Sequence, residues 1–377
     1  MTRREWLAAA GTVFLSACGP KKGTGYPGYA LIATSGENSL AVVDLTAFRL
    51  LKSVPLGTPP SAVLPDGPGG HTFVLTPSTG SIHALDRGLR IARSGKLAGE
   101  ISQVRMAQDL SKLVAISPVE RELIVADPHS LDVVLRIKLS GTPVDLDLVQ
   151  TAYAAVSLED NATHAIELID LRSGQCSRTE LPGHIGKIRF RSDGKLLLAA
   201  NLADPSLTAF SVPALQPVAT LPLAMKPQNL CFNADQGQLF VSGEGMDGIA
   251  IVFPFKVLEV EQTILAGRDP GVMTCSANPA YLFVGSNSGS DVCVLDIGTR
   301  DMLGLVDVGQ QCSYLATTPD SQYALVLDEK AGDLAVIRIP AIRVDPESNR
   351  YKSGAALFTV LPVGEKPVQV AVVPRDA

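Results

Sequence analysis

The sequence lacks the short motifs that mark common catalytic and metal-binding sites. It has no Gly-x-Ser-x-Gly nucleophile turn, no HExxH zinc motif and no GxxxxGK[ST] phosphate loop. None of its six cysteines belongs to a CxxC pair, so nothing supports a zinc ribbon, a thioredoxin-like redox pair or a haem-attachment site. We therefore predict no catalytic residues and no cofactor from motifs.

Concentrated positive charge and long apolar runs are also missing. No run of lysine and arginine exceeds two residues in a chain of net charge −6, so we expect no nucleic-acid partner. Hydrophobic content is 46%. Even so, no run beyond the N-terminus reaches the about 20 apolar residues that span a bilayer. We expect the body of the chain to be soluble.

A repeat is present instead. Its first copy, residues 29–66, contains four short apolar runs, each closed by Gly, Pro, Asn, Asp or another turn residue. The residue that closes the second run recurs every 41 to 43 residues. These positions are Asp44, Asp86, Asp127, Asp170, Ser211, Phe253, Asp296 and Arg338.

A period near 42 with four strands per unit is typical of a β-propeller. We predict an all-β fold in which residues 29–377 form a single propeller domain of four-stranded antiparallel blades. Eight phased units favour eight blades. Seven blades remain the alternative, should one unit be too irregular to form a full blade.

Most units also carry a Gly-x-x-Pro-like lead into an apolar strand, as in GTPVDLDLV and GRDPGVMTCSANP. With the Tyr-led first strands, this resembles the YVTN family of β-propeller repeats, which also occurs in lactonase-like propellers. The resemblance covers residues 29–374. It implies that the strand after Gly-x-x-Pro lies innermost, along the axis. It also implies that the last strand, residues 368–373, pairs with the first blade and closes the ring, which removes free sheet edges.

Tryptophan is nearly absent. The one tryptophan, Trp6, lies in the N-terminal segment. Quinoprotein propellers typically carry a docking tryptophan in each blade, and WD-type repeats carry a recurring Trp-Asp pair, so neither class fits this chain.

The N-terminus reads as an export signal. Residues 1–18 have a charged start at Arg3 and Arg4, followed by a short apolar segment, as signal peptides do. TRREWL resembles the twin-arginine export consensus. Leu15-Ser16-Ala17-Cys18 resembles the lipobox, in which the cysteine is lipidated. Cys18 is therefore predicted to anchor the exported chain to a bacterial membrane, facing the periplasm or the cell exterior, with residues 19–28 as a flexible tether.

Two departures from the repeat are candidate recognition sites. Unit four is predicted to have a longer hairpin loop, Leu158–Thr163, and unit eight has a polar insertion, Ala341–Ala355. Surface insertions often carry recognition. A neutral solvated loop would give the same pattern.

Five cysteines remain besides Cys18: Cys176, Cys231, Cys275, Cys293 and Cys312. Three of them lie inside apolar strands, where a cysteine usually acts as a small buried hydrophobe. Disulfides are the alternative in an oxidising compartment.

Charged residues cluster where the loops should enter the innermost strands, at one mouth of the axis. The main candidates for a ligand site there are Glu100, Asp145, His184, Arg268 and Asp269. Further candidates are Lys187, Lys226, Glu365 and Lys366. Such a ring could bind a small polar ligand or an ion, although charges placed by chance in solvated turns would give the same set.

Two functions follow from these observations. The first is a membrane-anchored, non-enzymatic propeller that binds a protein or a small ligand. The alternative is a lactonase-like or other hydrolytic enzyme with its site at the axial mouth. The enzyme needs Glu100, Asp145, His184 and Asp269 to converge around one point. A role as a redox partner is a weaker third possibility, for which the sequence offers no cofactor ligands.

Overall fold

Eight four-stranded antiparallel sheets form the blades of a closed β-propeller, as predicted. The computed structural model describes residues 25–67, 70–149, 152–160, 163–255, 258–342 and 356–375. None of these residues forms a helix long and apolar enough to cross a membrane. Two short 3₁₀ turns, Pro77–Thr79 and Ile339–Ala341, accompany the strands.

The innermost and second strands of the blades follow the predicted phase. The innermost strands are β4 (Ala62–Gly67), β8 (Gln103–Met106), β12 (Thr142–Val149), β16 (Ile185–Phe190), β20 (Lys226–Phe232), β24 (Pro270–Cys275), β28 (Tyr314–Thr317) and β32 (Pro367–Pro374). The second strands are β1 (Gly28–Thr34), β5 (His71–Thr76), β9 (Leu113–Ser117), β13 (Tyr153–Asp160), β17 (Leu196–Asn201), β21 (Leu239–Glu244), β25 (Tyr281–Ser286) and β29 (Tyr323–Asp328).

The third and outermost strands complete each blade. The third strands are β2 (Ser39–Asp44), β6 (Ser81–Leu85), β10 (Glu122–Ala126), β14 (Thr163–Asp170), β18 (Ser206–Ser211), β22 (Gly248–Phe253), β26 (Asp291–Asp296) and β30 (Asp333–Arg338). The outermost strands are β3 (Arg49–Pro55), β7 (Ile91–Lys96), β11 (Val133–Lys138), β15 (Cys176–Leu181), β19 (Pro217–Pro222), β23 (Glu259–Leu265), β27 (Met302–Asp307) and β31 (Leu357–Pro362).

Burial falls from the middle of each blade to its rim. Every residue of β2 and of β29 is buried, because neighbouring blades cover both faces of these strands. In β3, by contrast, only Val54 is buried. The core consists of hydrophobic clusters shared by adjacent blades. One example joins Phe283 and Val294 of one blade to Val326 of the next.

The ring closes through the C-terminal strand, as predicted. β32 pairs antiparallel with β1, with partners running from Gly28↔Pro374 to Thr34↔Pro367. β32 also contacts the innermost strands of both neighbouring blades, β28 and β4. Arg375 adds an ion pair with Asp44 at 3.0 Å. The first blade is therefore built from both ends of the described chain.

The recurring aspartates have a structural role. Asp44 Oδ1 accepts hydrogen bonds from the backbone N–H groups of Thr46 (2.8 Å) and Ala47 (3.3 Å), which fixes the turn after β2. Asp170 Oδ1 accepts the equivalent pair of hydrogen bonds from the backbone N–H groups of Arg172 and Ser173, and these bonds lower the pKa of the Asp170 carboxyl group. Because serine can also accept from a turn N–H, Ser211 can replace aspartate in its unit.

Two sequence predictions need adjustment. The predicted longer loop Leu158–Thr163 is wrong, since β13 continues to Asp160 and β14 begins at Thr163, with these two residues paired. The extra residues lengthen the strands instead. Along the predicted tether, Tyr26 packs into the core and Gly28 already belongs to β1. The signal segment, Cys18 and residues 343–355 of the insertion lie outside the described residues.

Candidate ligand-binding site at the axial cavity

A cavity of about 240 Å³ opens between the innermost strands of four consecutive blades, and it therefore lies on the propeller axis. Its lining is polar and cationic on one side and sulfur-bearing and apolar on the other. The lining residues are Lys187, Arg189, Asn229, Leu230, Cys231, Val272, Met273, Tyr314 and Leu315.

Asp145 holds the basic side of this cavity in place from the neighbouring strand. Its side chain is 1% exposed. One oxygen, Oδ2, accepts hydrogen bonds from the Arg189 guanidinium and from the Ile188 backbone N–H, both at 2.9 Å. The other oxygen, Oδ1, lies 3.8 Å from Lys187 Nζ and has no hydrogen-bond partner among the described residues. Asp145 thus orients both cations.

Asp147 continues the same arrangement one step along β12. Its carboxylate accepts the backbone N–H of Phe190 at 2.7 Å. Burial raises the pKa of Asp147 above its usual range, and the positive charges of Arg189 and Arg105 oppose that shift. On this side of the cavity the two cations Lys187 and Arg189 face the single carboxylate of Asp145.

Asp145, Asp147 and other polar side chains accept hydrogen bonds from backbone N–H groups at the free edges of the innermost strands. The outward edge of each innermost strand pairs with its own blade, whereas the edge facing the axis has no strand partner. Gln103 Oε1 accepts the N–H of Leu146 at 3.3 Å, and Gln369 Oε1 accepts the N–H of Val63 at 2.9 Å. In the same way, Asp145 and Asp147 accept the backbone N–H groups of Ile188 and Phe190 on β16. Polar side chains thus bridge blade to blade where backbone pairing stops.

The other main candidates are not among the residues that line the cavity. Glu100, His184 and Arg268 are exposed in the loops that lead into β8, β16 and β24. Asp269 donates its backbone N–H to Asp247 Oδ1 at 2.8 Å. Of the five main candidates, Asp145 is the one that contacts cavity-lining residues. The ligand site as a whole stays a prediction.

The additional candidates lie on the same face of the propeller. Lys187 lines the axial cavity, and Lys226 pairs with Glu244 at 3.0 Å. Glu365 and Lys366 line a second cavity of about 650 Å³, which lies off the axis at the seam of the ring. Its other charged residues are Glu37, Glu329 and Lys330.

The structure also contains a stacked pair of histidines. The rings of His164 on β14 and His184 lie 4.9 Å apart and nearly parallel, with an angle of 19°. Their separation of twenty residues along the chain gives no local signal. Among the described residues no group of three or more His, Cys, Asp or Glu side chains could hold a metal ion. Glu100, Asp145, His184 and Asp269 therefore do not form the cluster that a metal-dependent lactonase requires.

Comparison with known proteins identifies similar folds but no family. No protein-family profile and no curated protein sequence matches this chain. Among solved structures, dihydro-haem d1 dehydrogenase NirN in complex with DHE aligns with a TM-score of 0.76 and 14% identity, over 92% of this chain and 75% of that one. Apo AztD from Citrobacter koseri aligns with a TM-score of 0.67 and 14% identity, over 92% and 97% of the two chains.

A third structure bears on the lactonase resemblance. A putative 6-phosphogluconolactonase from Bacteroides fragilis aligns with a TM-score of 0.56 and 16% identity, over 83% of this chain and 97% of that one. The chain thus shares the β-propeller fold with a protein named as a lactonase. At identities this low the likeness establishes the fold alone, and membership of the YVTN family stays a prediction.

Proposed function

We propose that this protein is an exported lipoprotein, anchored through Cys18, whose propeller binds a small anionic ligand in the axial cavity. The proposal of an anionic ligand rests on two basic side chains that line the cavity, Lys187 and Arg189. Asp145 orients both, yet Lys187 keeps 43% of its side chain exposed. Arg189 is 22% exposed. Asn229 and Tyr314 add neutral hydrogen-bonding groups to the same cavity.

The alternative function, hydrolysis of a lactone, has less support than binding. The cavity offers charge and hydrogen-bond donors, which hold a ligand, whereas the residues that the hydrolase hypothesis requires, Glu100, Asp145, His184 and Asp269, are not among its lining residues. The NirN structure was solved in complex with DHE, so a protein of similar fold holds a ligand, although that protein is named as a dehydrogenase. We therefore propose a binding module and not an enzyme.

Replacing Lys187 by glutamine is expected to weaken anion binding by about ten- to a hundredfold, because one charge-assisted hydrogen bond contributes roughly 1.5–3 kcal/mol. Binding should be measured by calorimetry against a panel of di- and tricarboxylates, and it should weaken as salt is added. Lys226→Gln is the matched control, since Lys226 lies on the same face of the propeller but does not line the cavity. Equal loss in both variants, or no binding of any anion, would contradict the proposal.

Replacing Cys18 by alanine is expected to move the protein from the membrane fraction to the soluble fraction of the producing bacterium. The reason is that fatty acyl chains on this cysteine would supply the membrane affinity. Metabolic labelling with a fatty acid provides the direct measurement. Label that persists in Cys18→Ala, or a wild-type chain that takes up no label, would disprove the anchor. Cys176→Ala is the control, since its cysteine lies on an outermost strand.

A further inference from the structure

Two cysteines from neighbouring blades meet beside the axial cavity. Cys231 on β20 and Cys275 on β24 are 44 residues apart in sequence, and their Sγ atoms lie 3.9 Å apart. Both are free thiols and partly buried. Their meeting depends on adjacent innermost strands, so the propeller ring itself creates the pair.

The separation fits one shared metal ion. Two thiolates bound about 2.3 Å from one ion are about 3.8 Å apart at a tetrahedral angle and about 4.0 Å apart at the 120° angle of a three-ligand site. A disulfide would require the sulfur atoms to close to about 2.05 Å. The observed 3.9 Å is therefore close to the distance for metal bridging without movement, and far from a covalent bond.

A third sulfur-bearing residue, Met273, packs against the same hydrophobic cluster as the two cysteines. Met273 precedes Cys275 by two residues, so both side chains leave the same face of β24. Met273, Cys231 and Cys275 all pack against one hydrophobic cluster between the two blades. Met273 and Cys231 also line the axial cavity, which provides a path by which an ion could enter.

We propose that Cys231 and Cys275, with Met273 as the third ligand, form a binding site for a soft monovalent metal ion of the copper(I) class. Thiolate and thioether sulfur atoms are soft ligands that select copper(I). A structural zinc site would need four nitrogen or sulfur ligands. No further His, Cys, Asp or Glu joins the pair in the part of the chain that the structure describes. The site is distinct from the proposed anion contacts at Lys187 and Arg189.

The test is competition for copper(I) against bicinchoninate, with the reduced whole protein under anaerobic conditions. We expect the wild type to withdraw one copper ion per chain. Cys231→Ser and Cys275→Ser should each bind more than about a hundredfold more weakly, since loss of a ligand exceeds the effect of losing an outer partner. Met273→Leu should weaken binding less than either. Cys176→Ser, on the outer strand β15, should bind as the wild type does.

Alkylation provides a readout that needs no variant. In the wild type, copper(I) should protect Cys231 and Cys275 from iodoacetamide and leave the exposed Cys176 reactive, as peptide masses would show. Absence of copper uptake, unprotected Cys231, or zinc bound in preference to copper(I) at these thiols would overturn the proposal. Lys187→Gln should retain copper binding, so failure of the anion proposal and failure of this one can be told apart.

Discussion

Deletion of residues 366–377 is expected to abolish the folded propeller. The deletion removes β32, which supplies the innermost strand of the first blade and pairs with β1 along its whole length. Val370 and Val373 of this strand are buried. Their burial alone contributes about 3–6 kcal/mol, against a total stability of about 5–15 kcal/mol for a typical domain. Circular dichroism and thermal melting should show no cooperative transition near that of the full chain.

A circular permutant is the control for this deletion. The backbone N–H of Arg375 donates to the carbonyl of Pro27 at 3.0 Å, so a short linker can join the two ends of the described chain. A permutant that starts at Ser61, just before β4, keeps every strand and every blade. It should melt like the full chain. An unchanged melting temperature in the deletion variant would show that β32 does not hold the ring closed.

The sequence predicts the blades well because each unit repeats the same local pattern of strand and turn residues. Apolar runs of strand length alternate with turn residues, and the aspartates that end the third strands recur in phase. Asp44 and Asp170 show why this signal is reliable, since each fixes a turn through its own backbone hydrogen bonds. The prediction of a longer loop at Leu158–Thr163 is wrong because polar residues such as Glu159 can also lie in paired strands at the end of a hairpin.

The axial cavity was harder to predict, because its side chains come from the middle of strands. Loops are the usual carriers of function, and of the two cavity-lining cations on β16 Lys187 is among the sequence candidates whereas Arg189 is not. A signal does exist in the sequence: polar residues alternate along the innermost strands at intervals of 42, as in Gln103-Val104-Arg105, Asp145-Leu146-Asp147, Lys187-Ile188-Arg189 and Asn229-Leu230-Cys231.

The Cys231–Cys275 contact could not be predicted in the same way. The two residues occupy strands that bond to their own blades and not to each other, so no pairing register connects them. Their distance depends on how tightly neighbouring blades pack around the axis. That packing depends on the hydrophobic clusters between blades, and a repeat period alone does not specify it.

Asp145→Ala is expected to lower the free energy of unfolding by about 3–5 kcal/mol, the usual cost of removing one partner of a buried ion pair. The substitution would leave the Arg189 guanidinium without its carboxylate and the Ile188 N–H without its acceptor. It would also loosen Lys187, so anion affinity should fall along with stability. Urea denaturation gives the free energy, and calorimetry on the folded fraction gives the affinity.

Two further variants separate the structural part of Asp145 from the electrostatic part. Asp145→Asn keeps an oxygen that can accept the Ile188 N–H but removes the charge. If Asp145→Asn lost much less stability than Asp145→Ala, most of the contribution of Asp145 would come from its hydrogen bond to the edge of β16. If the two variants lost equal stability, most of that contribution would come from the ion pair with Arg189. Glu100→Ala, at an exposed position on the loop before β8, is the control and should change stability by less than about 0.5 kcal/mol. If Asp145→Ala matched that control, the carboxylate would not be holding β16 in place, and the orientation of Lys187 and Arg189 would need another cause.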